Sequence, residues 1–244
     1  MQVKWDFIGT VLWGVVIGVL MAIGQILPIY FYALLMMDEG VGLSILRGYM
    51  NLLEQDAFLL SLSAIGSTIF TVPLVLLIAK FKKATTIKEY FAFNSVSFKS
   101  LIFWSLIVVI FLVLEGLVMK VLDVSETPNF MLNITYPSEL SKWLLLLGMA
   151  FFAPVLEEVI FRGFLFKGFS QSFLGVIGSV ILTSLIWASI HFQYEPVYLI
   201  FIFFIGLLLG YARIKSNSLF VPIVMHIVFN FIAVVGLYWE QGIL

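Results

Sequence analysis

Long apolar runs with few charges constrain this chain more than any other feature of its sequence. Seven of them follow one another, at residues 7–37, 57–79, 100–119, 143–156, 168–194, 196–212 and 216–239. A helix needs about 20 apolar residues to cross the hydrocarbon core of a bilayer. The runs do not alternate between apolar and polar residues, so they do not fit the strands of a membrane barrel. We therefore interpret them as about seven membrane-spanning helices.

The composition supports this interpretation. Hydrophobic residues make up 62% of the 244 residues and charged residues only 11%, whereas charged residues make up roughly 25% of an average soluble domain. A soluble fold of this length lacks the polar shell that such a composition would require, which excludes an ordinary soluble enzyme, a disordered chain and a nucleic-acid-binding protein. The sequence has no Cys, which excludes disulfides and thiol chemistry. We expect an all-α, polytopic integral membrane bundle that lies in a lipid bilayer.

Lysine and arginine are concentrated in alternate connecting segments, and this sets the expected orientation. One side of the predicted bundle carries Lys4, Lys80, Lys82, Lys83, Lys88, Lys99, Lys167, Arg213 and Lys215. The opposite side carries only Arg47, Lys120 and Lys142, among several acidic residues. Cytoplasmic loops of membrane proteins carry the excess of positive charge. We therefore predict a cytoplasmic N-terminus and an external C-terminus, in the cytoplasmic membrane if the protein is bacterial.

Glycines four residues apart occur at Gly14 and Gly18 and again at Gly206 and Gly210. This spacing allows two helices to approach closely. We expect it to serve packing within the chain rather than a dimer interface.

Ionisable residues inside the apolar runs need an explanation, because each costs at least about 2.5–3.5 kcal/mol at the bilayer centre. Glu157 and Glu158 are followed by Arg162. Glu158 and Arg162 are four residues apart on a helix and can pair. Glu157 points about 100° away from Glu158 and is left free for chemistry. The alternative is a purely structural ion pair at a helix end.

The chain's two histidines also lie in apolar runs. His191 follows Trp187 by four residues, and His226 precedes Asn230 by four. His226 and Asn230 therefore share a helix face, from which two N–H groups could hold an oxyanion. The alternatives are a packed histidine and a hydrogen bond between helices, which is worth about 0.6 kcal/mol in membranes.

The order of these motifs resembles a known family. The elements are EEVIFRG (157–163), WASIH (187–191), GLLLGYARIKSNSLFVPI (206–223) and HIVFN (226–230). Together they resemble the type II CAAX prenyl endopeptidases, also called the Abi or CPBP family of intramembrane proteases. The resemblance implies a catalytic core at 141–240, in the last four helices, preceded by about three helices at 1–140. Trp187 departs from the family pattern, in which Phe is commoner.

The resemblance also implies roles. Glu157 would activate a water molecule as general base, assisted by His191, and His226 and Asn230 would bind the oxyanion. Glu158 and Arg162 would support the site. The protein would then be a membrane-embedded endopeptidase that hydrolyses a peptide bond near the cytoplasmic membrane face. Its substrate would be a peptide or a membrane-anchored protein.

Two alternatives remain open at this point. Glu157, His191 and His226 could bind a divalent metal such as zinc, with water as the fourth ligand. We favour a mechanism without a cofactor, because no HExxH-like spacing preorganises the ligands. A non-enzymatic transporter or immunity protein could also use these polar groups, although a transporter would more often show internal repeats. The sequence does not indicate an oligomeric state.

Uniform spans conflict with the proposed site. They would place Glu157 in the cytoplasmic half of the membrane and His191 near the outer end of the fifth span. For the two side chains to meet, the fifth span must begin later, near Gly175–Ser179, or the fourth must be broken near Pro154 or Gly163. Helices around catalytic cavities tolerate such irregularities.

Overall fold

The computed structural model describes residues 6–35, 55–81 and 85–244, together with the single residues 48 and 52. The described chain is helical, and its one β-type contact is an isolated bridge between Asp56 and Thr135. The predicted all-α fold is therefore confirmed. The charges at Lys4, Arg47, Lys82 and Lys83, which entered the orientation argument, lie outside the described residues.

Nine helices make up the described part of the chain. They are α1 (Phe7–Leu35), α2 (Ala57–Lys80), α3 (Ile87–Phe91), α4 (Phe98–Val121), α5 (Asn129–Leu132), α6 (Glu139–Ser170), α7 (Gly175–Ser189), α8 (Pro196–Ser216) and α9 (Phe220–Glu240). Among these, six are long and apolar enough to cross a membrane, namely α1, α2, α4, α6, α8 and α9. The helix in the fifth predicted span, α7, has 15 residues and is about 22 Å long at 1.5 Å per residue.

The structure resolves the conflict over the fourth and fifth spans. Helix α7 begins at Gly175, as one of the two solutions required, and ends at Ser189, so that His191 lies just beyond it. Helix α6 is not broken. It instead contains two π-helical segments, Gly148–Phe152 and Val159–Leu165.

Contacts between connecting segments define one end of the bundle. The ring of Phe7 at the start of α1 contacts Phe169 at the end of α6. The amide of Leu219, before α9, donates to the carbonyl of Ala92, after α3. This end carries Lys80, Lys88, Lys99, Lys167 and Lys215, and we call it the lysine end.

The opposite end is built from the segments 122–138 and 190–195, and we call it the loop end. The Asn129 side chain donates to Glu195 Oε1 at 2.7 Å, and the Tyr198 hydroxyl donates to the carbonyl of Ser125 at 2.8 Å. The amide of Ala57 donates to the carbonyl of Thr135 at 2.9 Å. With α7 counted, seven helices alternate in direction between the two ends. The start of α1 and the end of α9 therefore lie at opposite ends of the bundle.

Close packing of α8 on α7 depends on two glycines. A Cβ at Gly210 would lie 2.6 Å from a methyl carbon of Val180, and one at Gly206 would lie 3.0 Å from Ser184 Cβ. A Cβ at Gly14 would lie 3.0 Å from Leu165 on α6. Gly206, Gly210 and Gly14 therefore serve packing within the chain, as predicted, whereas nothing lies within 4 Å of a Cβ at Gly18.

Candidate active site

Irregular turns of α6 frame the paired glutamates. Glu157 and Glu158 end a short α-helical stretch that lies between the π-helical segments Gly148–Phe152 and Val159–Leu165. A π-helical turn is wider than an α-helical one, shifts the hydrogen-bond pattern of the backbone and often occurs at functional sites. Carbonyl groups of these segments consequently accept hydrogen bonds from neighbouring helices.

The first π-helical segment accepts two such bonds. Asn230 Nδ2 donates to the carbonyl of Met149 at 2.8 Å, and Thr68 Oγ1 donates to the carbonyl of Phe152 at 2.9 Å. The hydrogen bond between helices, which the sequence left open as the alternative for Asn230, is therefore present. An amide nitrogen carries two N–H groups, so this bond leaves the second for an acceptor in the cavity described below.

Glu158 lies at the centre of a buried charge cluster. Arg162 Nη1 donates to Glu158 Oε1 at 2.8 Å, which confirms the predicted ion pair. Arg162 Nη2 also donates to the carbonyl of Gly206 at 3.1 Å, where the absence of a side chain lets the guanidinium approach. His226 Nδ1 lies 2.9 Å from the same Glu158 oxygen. Each of these three residues exposes 2% or less of its surface.

The contact with Glu158 sets the orientation of His226. An ionised carboxylate only accepts hydrogen bonds, so His226 Nδ1 carries the proton in this contact. The ring then presents Nε2, which lies 3.9 Å from Glu157 Oε2. The spacing of the sequence motifs does not predict this carboxylate–histidine contact, because it joins α6 to α9.

Glu157 has a different environment from its neighbour. Its side chain remains 17% exposed and lines a cavity. Its Oε2 accepts a hydrogen bond from the indole Nε1 of Trp187 at 2.6 Å. The two glutamates therefore face different surroundings, as their positions on the helix predicted.

Trp187 contacts more of the site than the sequence motifs indicate. Its ring lies under the guanidinium of Arg162 at 4.5 Å and contacts the rings of His191 and His226 edge to face, each at 5.2 Å. Its N–H donates to Glu157, a bond that Phe at this position could not make. Only its departure from the family pattern could have drawn attention to it.

His191 reaches the site from the turn after α7. Its Nδ1 lies 2.7 Å from the carbonyl of Trp187, and since a carbonyl only accepts, Nδ1 carries the proton and Nε2 bears the lone pair in the neutral ring. Its ring also packs on Tyr194 at 5.9 Å. Burial, and secondarily the charge of Glu157, raise the pKa of the Tyr194 phenol above its ordinary value, so the phenol stays protonated.

A cavity of about 310 Å³ brings the candidate residues together. Glu157, His191, His226 and Asn230 line it, whereas Glu158 and Arg162 lie buried behind its wall. Among its other lining residues are Glu115, Glu126, Thr127, Trp187, Tyr194 and Gly236. Its size lies at the lower limit for small-ligand pockets.

The cavity runs toward one end of the bundle. It extends from Glu157 to the loop end, where Glu126, Thr127 and Tyr194 form its wall. The bundle on the lysine side of the site is filled by the buried rings of Phe161 and Phe164. Hydrolysis near the cytoplasmic membrane face stays a prediction.

The proposed metal ligands do not form a ligand set. Among the described residues, no group of three His, Asp or Glu side chains has the spacing to hold a metal ion. The Glu157 oxygen nearest His226 accepts the indole N–H of Trp187, and a donor in that position would compete with a metal ion. The geometry of Glu157, His191 and His226 therefore does not fit the zinc site considered above.

Sequence comparison relates part of the chain to a known protein. The chain is similar to an uncharacterized 24.3 kDa protein of Escherichia coli, with 33% identity over 85 residues, which are 34% of this chain and 39% of that protein. The chain thus spans about two-fifths of the length of this relative. No solved structure matches the chain.

A family profile covers the part of the chain that builds the site. Residues 139–232 match the family described as type II CAAX prenyl endopeptidase Rce1-like. The match begins with α6 and includes both glutamates, both histidines and Asn230. Residues 139–232 are thus similar to the Rce1-like type II CAAX prenyl endopeptidases, the family that the sequence motifs resemble.

Proposed function

We propose that the protein is an intramembrane endopeptidase that uses Glu157 as general base. The observation that carries this proposal is that the two glutamates make different contacts. Glu158 is committed to Arg162 and His226, whereas Glu157 faces the cavity beside both histidines and Asn230. A carboxylate so placed is within reach of a water molecule and a peptide carbonyl bound in the same cavity.

In this mechanism Glu157 takes a proton from water while the water oxygen attacks the carbonyl carbon of the substrate. The tetrahedral intermediate carries a negative charge on the former carbonyl oxygen. The proton then passes to the amide nitrogen, the C–N bond breaks, and a carboxylate and an amine leave. The Nε2 atom of His191 assists by accepting a hydrogen bond from the attacking water.

His226 and Asn230 hold the oxyanion. His226 donates from Nε2 in its imidazolium form, because Nδ1 already carries a proton directed at Glu158. Asn230 contributes its second N–H. Glu158, Arg162 and Trp187 are positioning residues, which hold His226 and Glu157.

The proposed mechanism uses no cofactor, because Glu157 itself takes the proton from the attacking water. The substrate class is a peptide or a membrane-anchored protein.

A panel of labelled membrane peptides tests this function. The purified chain, in detergent and in liposomes, should cleave at least one member at an internal peptide bond, as read by mass spectrometry. Activity that survives prolonged treatment with a chelator supports the mechanism without metal. Activity that is lost on chelation and restored by zinc would contradict that mechanism, and failure to cleave any member would argue against a peptidase.

A further inference from the structure

We propose that Glu115 and Glu126 form an acidic subsite of the catalytic cavity, which selects substrates with a lysine or arginine side chain close to the cleaved bond. The inference rests on the proposed function and names the chemistry of its substrate. Glu115 lies within the membrane-spanning helix α4, and Glu126 lies in the segment that follows this helix. The mechanism proposed above uses neither residue.

Both carboxyl side chains lie in the wall of the cavity that contains Glu157. Glu126 folds back over α4 at Gly116, where a Cβ would lie 3.6 Å from both of its carboxylate oxygens. The absence of a side chain at Gly116 therefore leaves room for this carboxylate beside Glu115. The two groups are close enough to repel each other when both are ionised.

Neither carboxylate has a partner of opposite charge. In the part of the chain that the structure describes, no hydrogen bond or ion pair involves Glu115 or Glu126. Lys120 is exposed and pairs with neither, and the hydroxyl of Tyr198, which also lines the cavity, donates to the carbonyl of Ser125 at 2.8 Å. An ionisable residue inside a membrane span is costly unless it is paired, so these two carboxylates require a cation.

A deeply buried group in the same cavity indicates independently that the cavity holds a ligand. His226 is only 2% exposed and lines the cavity, and its Nδ1 is bonded to Glu158. Its Nε2 lies 3.9 Å from Glu157 Oε2, beyond hydrogen-bond distance, and has no hydrogen-bond partner among the described residues. A ligand that bonds to this nitrogen occupies the same cavity that Glu115 and Glu126 line.

The chemistry of the subsite favours an organic cation over a metal ion. Two carboxylates are too few ligands for calcium, which takes about six to eight oxygens, and the described residues include no group of three His, Asp or Glu that could hold a metal ion. Lysine and arginine bring several N–H donors and an apolar stem, and the stem suits the apolar wall at Leu112, Met119 and Ile202. Because an endopeptidase cuts internal bonds, a side chain rather than a terminal amine supplies the cation.

Matched peptides test the subsite. Versions of a membrane peptide that the chain cleaves carry Lys, Gln or Glu at each position near the cleaved bond in turn, with an acetylated N-terminus. At one position, kcat/KM with Lys should exceed kcat/KM with Gln by about 10-fold or more, the gain expected from a hydrogen bond to a charged group. The peptide with Glu at that position should be cleaved more slowly than the peptide with Gln.

This preference should depend on the two carboxylates. Glu115→Gln and Glu126→Gln should each lower the ratio of kcat/KM between the Lys and Gln peptides. Because Glu126 is exposed, Glu126→Gln provides the test even if Glu115→Gln does not fold. Glu139→Gln, at an exposed position outside the cavity, should keep the wild-type ratio. Equal cleavage of both peptides by the wild-type chain, or a wild-type ratio in Glu126→Gln, would overturn the inference.

Binding without turnover separates this inference from the proposed function. Fluorescence anisotropy measures the affinity of Glu157→Gln for the labelled Lys and Gln peptides. The Lys peptide should bind more tightly, and adding Glu126→Gln should remove the difference. Tighter binding of the Lys peptide, together with no cleavage of any peptide by the wild-type chain, would overturn the proposed function and support the acidic subsite. Cleavage with equal affinity for both peptides would overturn the subsite alone.

Discussion

Glu157 and Glu158 are adjacent in sequence but differ in what their side chains contact. Glu158 bonds to Arg162 and His226 in the buried cluster, whereas Glu157 lines the cavity and bonds to Trp187. Their 100° separation on the helix is a local property, and the sequence alone predicted it. The contacts from other helices could not be predicted, because they depend on how α6, α7 and α9 pack.

Trp187 is expected to set the reactivity of Glu157. Trp187→Phe keeps a ring under Arg162 but removes the indole N–H, and a hydrogen bond to a charged group is worth about 1.5–3 kcal/mol. Because the lost donor holds the Glu157 carboxylate in place, kcat should fall by about 10-fold or more while KM changes little. Trp143→Phe, at an exposed position of α6, the helix that carries Glu157, is the matched control. An unchanged kcat in Trp187→Phe would show that the tryptophan only packs.

Asn230 is expected to act in the transition state. Asn230→Ala should lower kcat by about 10²–10³-fold, the usual effect of losing one oxyanion donor, while KM changes little. Asn230→Asp should be at least as impaired, because it places a negative charge beside the oxyanion. Asn94→Ala, which removes a bond to the carbonyl of Asn217 at the lysine end, should change thermal stability alone. If Asn230→Ala changes thermal stability but not kcat, the amide only forms the hydrogen bond to the carbonyl of Met149.

At the scale of helices, the packing of α7 and α8 against α6 holds Arg162 in place behind the cavity wall. A Cβ at Gly206 would lie 3.0 Å from Ser184 Cβ and 3.2 Å from Arg162 Nη2. Gly206→Ala should therefore lower the stability by about 1–3 kcal/mol, as overpacking does, and should lower kcat by displacing Arg162. Gly18→Ala, where nothing lies within 4 Å, is the control. Equal melting temperatures for the two variants would contradict this packing.

The irregularities of α6 and α7 show the limit of reading helices from hydropathy. The apolar runs predicted where the long helices lie. The motif order required either a late start of the fifth helix or a break in the fourth, and the structure has the late start. The π-helical segments in α6 could not be predicted from the pattern of apolar residues, because one extra residue per turn does not change the mean hydropathy of the helix. They nevertheless decide which backbone carbonyls are available to Asn230 and Thr68.

For the whole molecule, seven alternating helices predict termini on opposite sides of the membrane. Thr85→Cys lies at the lysine end and Leu244→Cys at the loop end. An impermeant thiol reagent should label Leu244→Cys in intact cells and Thr85→Cys only after permeabilisation. If both are labelled in intact cells, α7 does not cross and the number of crossings is even.

The end of the bundle toward which the cavity extends is also a property of the whole molecule. Counts of lysine and arginine predict an orientation, and the motifs predict a site. Neither predicts which end of the bundle is filled by packed side chains. That depends on α3, a helix of only five residues whose Phe91 packs against Gly163. Side-chain volume in the assembled core, rather than any run of residues, closes the lysine end.

The turnover number of Glu157→Gln on a peptide that the wild-type chain cleaves tests the central claim most directly. Loss of a general base should lower kcat by about 10²–10⁴-fold, with an unchanged melting temperature, because Gln keeps the shape and can still accept from Trp187. Glu139→Gln, at the exposed start of α6, is the control and should keep wild-type activity. A Glu157→Gln variant with the kcat of the wild-type chain would contradict the account.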